Sequence, residues 1–363
     1  MVHGQNIPAQ SLRLPRVSKI SQIRHFDRAH VFIGIFGLSC TAPPSPSESK
    51  LDAEDSPIGV SLGLFASDPL WDYAPLIEEI SDLGTGQISL VIPIHQQRHD
   101  SNAPSLAVPI EEIRRSIDQA QQKNLDITLM PLIKLHERRM DLWRGTLAPT
   151  DPDLWWRNYR SEIKRLAILA ESEQVSRLVI GAELCSLEAD EASWTQLISS
   201  TRKLYHGTLT YSANWDHYSE IGFWEDLDEI AVTAYFPIAR KSQFEAHWTD
   251  FIQDIEGFAR HQQRPLIITE YGYPALESAL AEPWNETTQA SFDPLLQAEL
   301  VQRATQFLQK SIHTTPHPER VLHQAFLWNW FGFGGQHDHG FTLRGRAGEP
   351  ALKKVLSQKH ERP

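Results

Sequence analysis

The sequence predicts a single (β/α)8 barrel of the α/β class, and three observations carry that expectation. Short apolar runs bounded by Gly or Pro recur along the chain, and between them lie stretches whose apolar residues return every three or four positions. Two of the runs end in a glutamate: Leu178-Val179-Ile180-Gly181-Ala182-Glu183, and Pro265-Leu266-Ile267-Ile268-Thr269-Glu270. A parallel strand buried on both faces reads as a continuous apolar run, and a polar residue at its C-terminal end projects into the mouth of such a barrel.

The elements follow in order. Ile58 to Phe65 reads as the first strand and leads into the acid-rich stretch Trp71 to Leu83. Ile88 to Ile94 is the second strand; the helix after it shows Ile110, Ile113, Ile117 and Ala120 on one face. The third strand, Ile127 to Ile133, precedes a long insertion from His136 to Asp153, after which Ile163, Leu166, Ala167 and Ala170 repeat the helical spacing. The strand of Glu183 is the fourth. Leu209 to Ser212 and Ile230 to Ala234 read as the fifth and sixth. Phe244, Trp248, Phe251, Ile252, Ile255 and Phe258 form the clearest helical stripe, directly before the seventh strand with Glu270. Leu296, Leu300, Ala304 and Phe307 mark a helix before the eighth strand, His323 to Trp330.

At 363 residues the chain is long enough for one barrel of roughly 250 residues with loop insertions. The barrel is placed at residues 58–357, with a short tail at 358–363. The formal net charge of −12 comes without a long basic run, which argues against a nucleic-acid partner. Eleven tryptophans, many near strand ends and loops, offer flat rings that stack on sugars, although burial in the core accounts for several.

The first 57 residues have a different character. Arg24 and Arg28 precede the apolar stretch Val31 to Ser39, which ends at Cys40, and the Pro/Ser/acid-rich segment Thr41 to Pro57 follows. The stretch is too short to span a bilayer but suits an export signal. Residues 1–40 are therefore expected to be that signal and 41–57 a disordered tether. Leu38-Ser39-Cys40 resembles a bacterial lipobox, although Gly37 stands where Leu is usual and the leader is long. The alternatives are a plain signal peptide or an incidental apolar patch. The lipobox reading implies a lipidated Cys40 and an exported, membrane-anchored protein facing the periplasm or the cell exterior. Cys185 then has no partner for a disulfide.

A facing carboxylate pair is the machinery of glycoside hydrolysis, where one carboxyl is protonated to assist the leaving oxygen and the other is ionised to attack the anomeric carbon. Singly, each glutamate could equally start or cap a helix or pair with an arginine. Tyr235, at the end of the sixth strand, is placed to donate its hydroxyl to Glu270 or to face substrate; packing on the rim is the competing role. Trp328 and Trp330, two apart on a strand, are expected to face the same way, one flooring a sugar subsite and the other filling the barrel. Asn214, Trp215 and Asp216 follow the fifth strand, where either substrate contacts or a capped turn accounts for them. His95, Gln97, Lys134 and His136 are weaker candidates for hydroxyl contacts.

An ordered set of strings carries a family resemblance: Asp141-Leu142-Trp143-Arg144-Gly145, Trp155-Trp156-Arg157-Asn158-Tyr159, Ile180-Gly181-Ala182-Glu183-Leu184, Thr233-Ala234-Tyr235-Phe236-Pro237, Ile268-Thr269-Glu270-Tyr271-Gly272-Tyr273, Phe326-Leu327-Trp328-Asn329-Trp330 and Gly340-Phe341-Thr342-Leu343-Arg344-Gly345. The chain resembles glycoside hydrolase family 113 of clan A, whose characterised members are β-1,4-mannanases. The resemblance implies retaining hydrolysis of a β-linked saccharide, with Glu183 as acid/base, Glu270 as nucleophile and Trp143 among the substrate-facing residues. Many clan members carry Asn immediately before the acid/base to bond the sugar 2-hydroxyl; here Ala182 stands there, and a contact that strengthens in the transition state is missing.

Two other classes stay open. A sugar-binding barrel without turnover is compatible with Ala182, but intact Glu183 and Glu270 speak against it. A metal-dependent hydrolase rests on His337-Asp338-His339, whose histidines flank an acid in a Gly-rich loop, with no further ligands legible in the sequence. The expectation is therefore a monomeric glycosidase with a carbohydrate substrate and neither metal nor cofactor.

Overall fold

A computed structural model describes residues 56–68, 71–137, 142–287, 289–314 and 319–357. The export signal, Cys40 and most of the tether lie outside the described residues, as does the tail at 358–363. Ser56 and Pro57, assigned to the tether from sequence, belong to the barrel. Ser56 is buried and its Oγ accepts from Gln309 Nε2 at 3.3 Å, while the Pro57 carbonyl accepts from the Ala325 amide at 3.1 Å.

Eight parallel strands close into a barrel: β1 (Ile58–Gly63), β2 (Gln87–Gln96), β3 (Asp126–Leu135), β4 (Arg177–Ala182), β5 (Thr208–Ala213), β6 (Ile230–Thr233), β7 (Leu266–Tyr271) and β8 (Leu322–Leu327). Closure runs through β8 and β1, with Ile58 opposite Ala325 and Val60 opposite Leu327. A two-residue strand, Ser105–Leu106, pairs antiparallel with Ile94 and His95 on β2. Every residue of β1, β6 and β7 is buried, which is why these strands read as largely apolar runs.

The helices are α1 (Ala74–Asp82), α2 (Ile110–Gln122), α3 (Pro152–Ser172), α4 (Glu191–Arg202), α5 (Phe244–Gln262), α6 (Pro294–Thr314) and α7 (Gly348–Leu356). Helix α3 begins after the long insertion because Asp151 caps it, its side chain accepting from the Leu154 amide at 3.0 Å, and Pro152 suits the first turn. Helix α5 buries Phe244, Trp248, Ile252 and Ile255, while Phe251 and Phe258 pack at the margin of the core. Burying Trp248 alone contributes roughly 2–3 kcal/mol. Between β5 and β6 no α-helix forms among the described residues; two 3-10 turns, Tyr218–Glu220 and Trp224–Asp226, make the connection. Trp224 anchors it, buried and donating its indole N–H to the Tyr218 carbonyl at 2.8 Å.

The two ends of the barrel differ in chemistry. At the N-terminal end of the strands Arg177 pairs with Glu229 and donates to Gln324 Oε1 at 2.6 Å and Thr128 Oγ1 at 3.0 Å, joining β3, β4, β8 and the entrance to β6. At the C-terminal end an apolar cluster of Val91, Met130, Leu132, Val179, Ala182, Tyr235, Trp328 and Phe341 surrounds the two glutamate-bearing strand ends.

Candidate active site

Glu183 stands one residue beyond β4 with φ +53°. Among the described residues, the other non-glycine positions with positive φ, Asn124, Gln174 and Gln263, all lie just past helices α2, α3 and α5, where a left-handed residue ends a helix in the usual way. Glu183 ends no helix. Its strained backbone is held instead by its own amide donating to the Ser212 carbonyl at 2.8 Å and by the next amide, Leu184, donating to the Tyr211 hydroxyl at 2.7 Å. The residue is 3 % exposed. Oε1 accepts the Thr233 hydroxyl at 2.9 Å, and Oε2 accepts Arg144 Nη2 at 2.5 Å.

Glu270 lies within β7, opposite Thr233 across a register shift between β6 and β7. It is buried. Oε2 accepts the Tyr235 hydroxyl at 3.0 Å, whereas Oε1 is buried with no hydrogen-bond partner. Burial first, and then the charge of Glu183, push the Glu270 carboxyl up to about 8; Arg144 and the Tyr235 hydrogen bond pull the other way without overcoming them. Burial also works against the Arg144 charge, yet Glu183 and Glu270 together leave that guanidinium above its ordinary value.

The sequence placed the proton on Glu183 and the charge on Glu270. In the free site Glu183 receives the guanidinium, and Glu270 is the carboxyl whose proton affinity rises.

The other candidate residues scatter around this pair. Tyr235 and Trp328 belong to the apolar cluster at the mouth, and Trp215 packs at its edge. Asn214 approaches through Thr233, whose hydroxyl lies 3.4 Å from Asn214 Oδ1, and its amide donates to Asp216 Oδ1 at 2.8 Å. Trp143 is 39 % exposed beside the Arg144 guanidinium, which sits 5.7 Å from its ring centroid. His95 packs edge-on against His136 at 4.4 Å, and burial, then His136 and Lys134, lower its pKa.

Trp330 departs from expectation. It does not share the mouth with Trp328 but is 1 % exposed in the main core, its indole donating to Glu79 Oε2 on α1 at 2.8 Å. Strand β8 ends at Leu327, so the two-residue alternation that would align the two tryptophans no longer applies.

Two residues that bond Glu183 were not singled out from sequence. Thr233 lies two before Tyr235 at the end of β6, and that spacing could have signalled it. Arg144 sits in the insertion, where no periodicity points inward.

His337, Asp338 and His339 do not converge on a cation. Asp338 accepts the amides of Gly334 and Gly340, each at 2.9 Å, and His339 stacks on Phe292 at 5.1 Å. Among the described residues, the group of potential metal ligands that does converge is Cys185, Glu188 and His217.

Comparison with known proteins adds three findings. The model of Glycoside Hydrolase Family 113 matches residues 78–331. The search of curated proteins finds no match. Among solved structures, the GH113 β-mannanase AaManA from Alicyclobacillus acidocaldarius, in complex with ManMIm, superposes with a TM-score of 0.72 at 20 % identity, over 84 % of this chain and 98 % of that one. A complex structure of a GH113 β-1,4-mannanase gives a TM-score of 0.71 at 20 % identity, over 84 % and 99 %. A GH5_18 protein from Bifidobacterium longum, in complex with Manβ1-4GlcNAc, gives 0.57 at 14 % identity, over 83 % and 78 %. The likenesses establish the barrel.

Proposed function

The chain belongs to glycoside hydrolase family 113, and from that premise we propose that it is a retaining glycosidase acting on a β-1,4-mannan-type saccharide. The observation that carries the reading is the buried pair at the ends of β4 and β7, coupled closely enough that the charge on Glu183 raises the proton affinity of Glu270. Structural neighbours that are β-1,4-mannanases support the choice of sugar.

In the proposed reaction Glu183 donates a proton to the glycosidic oxygen as that bond breaks, and a Glu270 oxygen bonds to the anomeric carbon. Glu183, now a carboxylate, then takes a proton from the water that cleaves the glycosyl ester, which restores both groups. The pair must enter with one proton, and the raised affinity of Glu270 allows this at neutral pH. Substrate then biases where the proton sits. A glycosidic oxygen accepting from Glu183 favours the proton there, while positive charge developing at the anomeric carbon favours ionised Glu270. Thr233 and Arg144 orient Glu183; Tyr235 orients Glu270.

Trp328 at the mouth and Trp143 on the rim supply rings for sugar stacking, and Asn214 supplies an amide beside the Thr233 to Glu183 edge. Ala182 is packed among Val179, Tyr235 and Trp328, so the 2-hydroxyl contact must come from elsewhere, and Asn214, whose Oδ1 lies 3.4 Å from the Thr233 hydroxyl, is the candidate.

One observation favours a reversed assignment: in the free site Glu270 is the carboxyl that keeps its proton. Variants at each glutamate, assayed with azide, separate the two. Purified protein incubated with β-mannan, glucomannan, cellulose, xylan and aryl β-glycosides tests the function itself. Hydrolysis of mannan or glucomannan is expected, and inertness towards every β-linked substrate overturns the reading.

We also propose export with lipidation at Cys40, supported by the basic leader, the apolar stretch and the Ser39-Cys40 junction. No helix among the described residues is long and apolar enough to cross a membrane. Membrane fractionation of wild type and Cys40→Ser tests the anchor: equal partition into the soluble fraction, with an unmodified Cys40 by mass spectrometry, overturns it.

A further inference from the structure

Beyond the carboxylate pair, Cys185, Glu188 and His217 each bring one ligand atom within 4.8 Å of the other two. Cys185 lies in the short 3-10 turn Cys185–Leu187 after β4, Glu188 ends that turn, and His217 stands in the loop after β5. Glu188 is 5 % exposed, and its Oε1 accepts the Tyr211 hydroxyl at 2.6 Å.

Its other oxygen is the informative one. Glu188 Oε2 and His217 Nδ1 are both buried atoms without a hydrogen-bond partner, although they stand only 3.4 Å apart. They face each other as a histidine–carboxylate ion-pair contact, but their separation is long for a charge-assisted hydrogen bond, and leaving two buried atoms without a good one is costly. It is the separation a shared tetrahedral metal would impose: two ligands at about 2.0–2.1 Å from zinc, at the tetrahedral angle, lie about 3.4 Å apart.

The donor set selects the cation. A thiolate, an imidazole nitrogen and a carboxylate oxygen suit zinc, whereas magnesium and calcium take oxygen ligands. The surroundings are also negative, with the carboxylates of Glu188, Glu183 and Asp216 acting on the Cys185 sulfur.

We propose that Cys185 Sγ, Glu188 Oε2 and His217 Nδ1 form a binding site for one divalent cation of the zinc class, with solvent completing the tetrahedron. On binding, the S–H bond gives way to a sulfur–metal bond and the proton leaves to solvent; no oxidation state changes. The site reaches the catalytic strand end through a short relay. The Leu184 amide donates to the Tyr211 hydroxyl, which donates to Glu188 Oε1, so a cation that fixes Glu188 also fixes the backbone next to the strained Glu183. The inference stands independently of which glycan is cleaved.

The test uses the full chain carrying Cys40→Ser, which leaves Cys185 as the single thiol of the two in the sequence. Metal-stripped protein is titrated with zinc by calorimetry and with cobalt(II) by absorption. The expected result is one ion per chain, a thiolate-to-cobalt charge-transfer band in the near ultraviolet, and a melting temperature raised by zinc. Cys185→Ser should lose the band and the zinc-dependent stabilisation. His217→Ala, at a ring about a third exposed and so tolerant of change, should weaken binding by at least about tenfold. Melting curves without metal report whether each variant folds. Absence of stoichiometric uptake, or uptake with unchanged affinity and spectrum in both variants, overturns the proposal.

Discussion

Tyr235 donates its hydroxyl to Glu270 Oε2 at 3.0 Å, from two residues beyond β6 onto the neighbouring strand, and it is the one hydrogen bond described for a carboxylate that burial drives towards its neutral form. A hydrogen bond to a charged group contributes about 1.5–3 kcal/mol, and Tyr235 works with Arg144 to favour ionised Glu270.

The first prediction follows. Tyr235→Phe keeps the ring packed against Phe341, at 6.0 Å between centroids, and deletes only the donor. The pKa of Glu270 should rise further, moving the alkaline limb of the kcat/KM profile, where the pair loses its one proton, to higher pH, and kcat/KM near neutrality should fall about ten- to hundredfold because ionised Glu270 is harder to reach. A pH–rate profile superimposable on wild type would show that the phenol is merely packing.

Roles are separated by leaving-group dependence. Glu270→Ala should abolish turnover of every substrate. Glu183→Ala should keep activity on aryl glycosides whose leaving group needs no protonation, and azide should raise it further. The reversed assignment exchanges these outcomes between the two variants. Proton NMR of the first-formed anomer checks the pairing: retained β configuration is expected, and an α product at early times excludes double displacement.

Much of this arrangement was legible before the structure. Strands such as β1 and β7 are buried on both faces, so their sequences are mostly apolar, with only small hydroxyls such as Ser61 and Thr269 among them, and a glutamate at the end of such a run has little choice but to face the mouth. What was hidden depends on residues that no local period relates. Arg144 reaches Glu183 from an irregular insertion, and Trp330 leaves the mouth because its strand stops at Leu327. Cys185, Glu188 and His217 meet only because β4 and β5 are neighbours in the sheet. The missing helix after β5 was equally unreadable as a turn, since that connection is held by the burial of Phe223 and Trp224 and by the Trp224 indole hydrogen bond, none of which follows a helical period.

Stability should depend on pH through Glu270. Its carboxyl ordinarily titrates near 4.5 and is raised to about 8 in the fold. Below the unfolded value both states hold the proton and nothing is lost. As pH rises from about 4.5 to about 8 the unfolded chain ionises first, so the folded state loses stability progressively; above that window the loss is constant. Glu270→Gln cannot ionise and escapes it. Chemical denaturation should therefore find the variant more stable than wild type by roughly a few kcal/mol at pH 8.5, with the difference shrinking towards pH 5. A pH-independent difference would show that Glu270 does not titrate in this window.

The last prediction concerns the opposite end of the barrel. Glu229 is buried, and burial raises its pKa while Arg177 is the group that counteracts it. Removing one partner of a buried ion pair strands the other, at a cost of roughly 3–5 kcal/mol, whereas replacing both by uncharged groups of similar shape removes the desolvation cost along with the attraction. Arg177→Met should thus destabilise the fold by about that amount, and it also takes away the donors to Gln324 and Thr128. Arg177→Met combined with Glu229→Gln should recover most of the loss. Because these residues sit at the N-terminal end of the strands, where barrel residues serve stability and not chemistry, the double variant should keep wild-type kcat at temperatures where it is folded. Urea melts of the two single variants and the double variant complete the cycle; a double variant as unstable as Arg177→Met would locate the cost in the Gln324 and Thr128 contacts and not in the stranded charge.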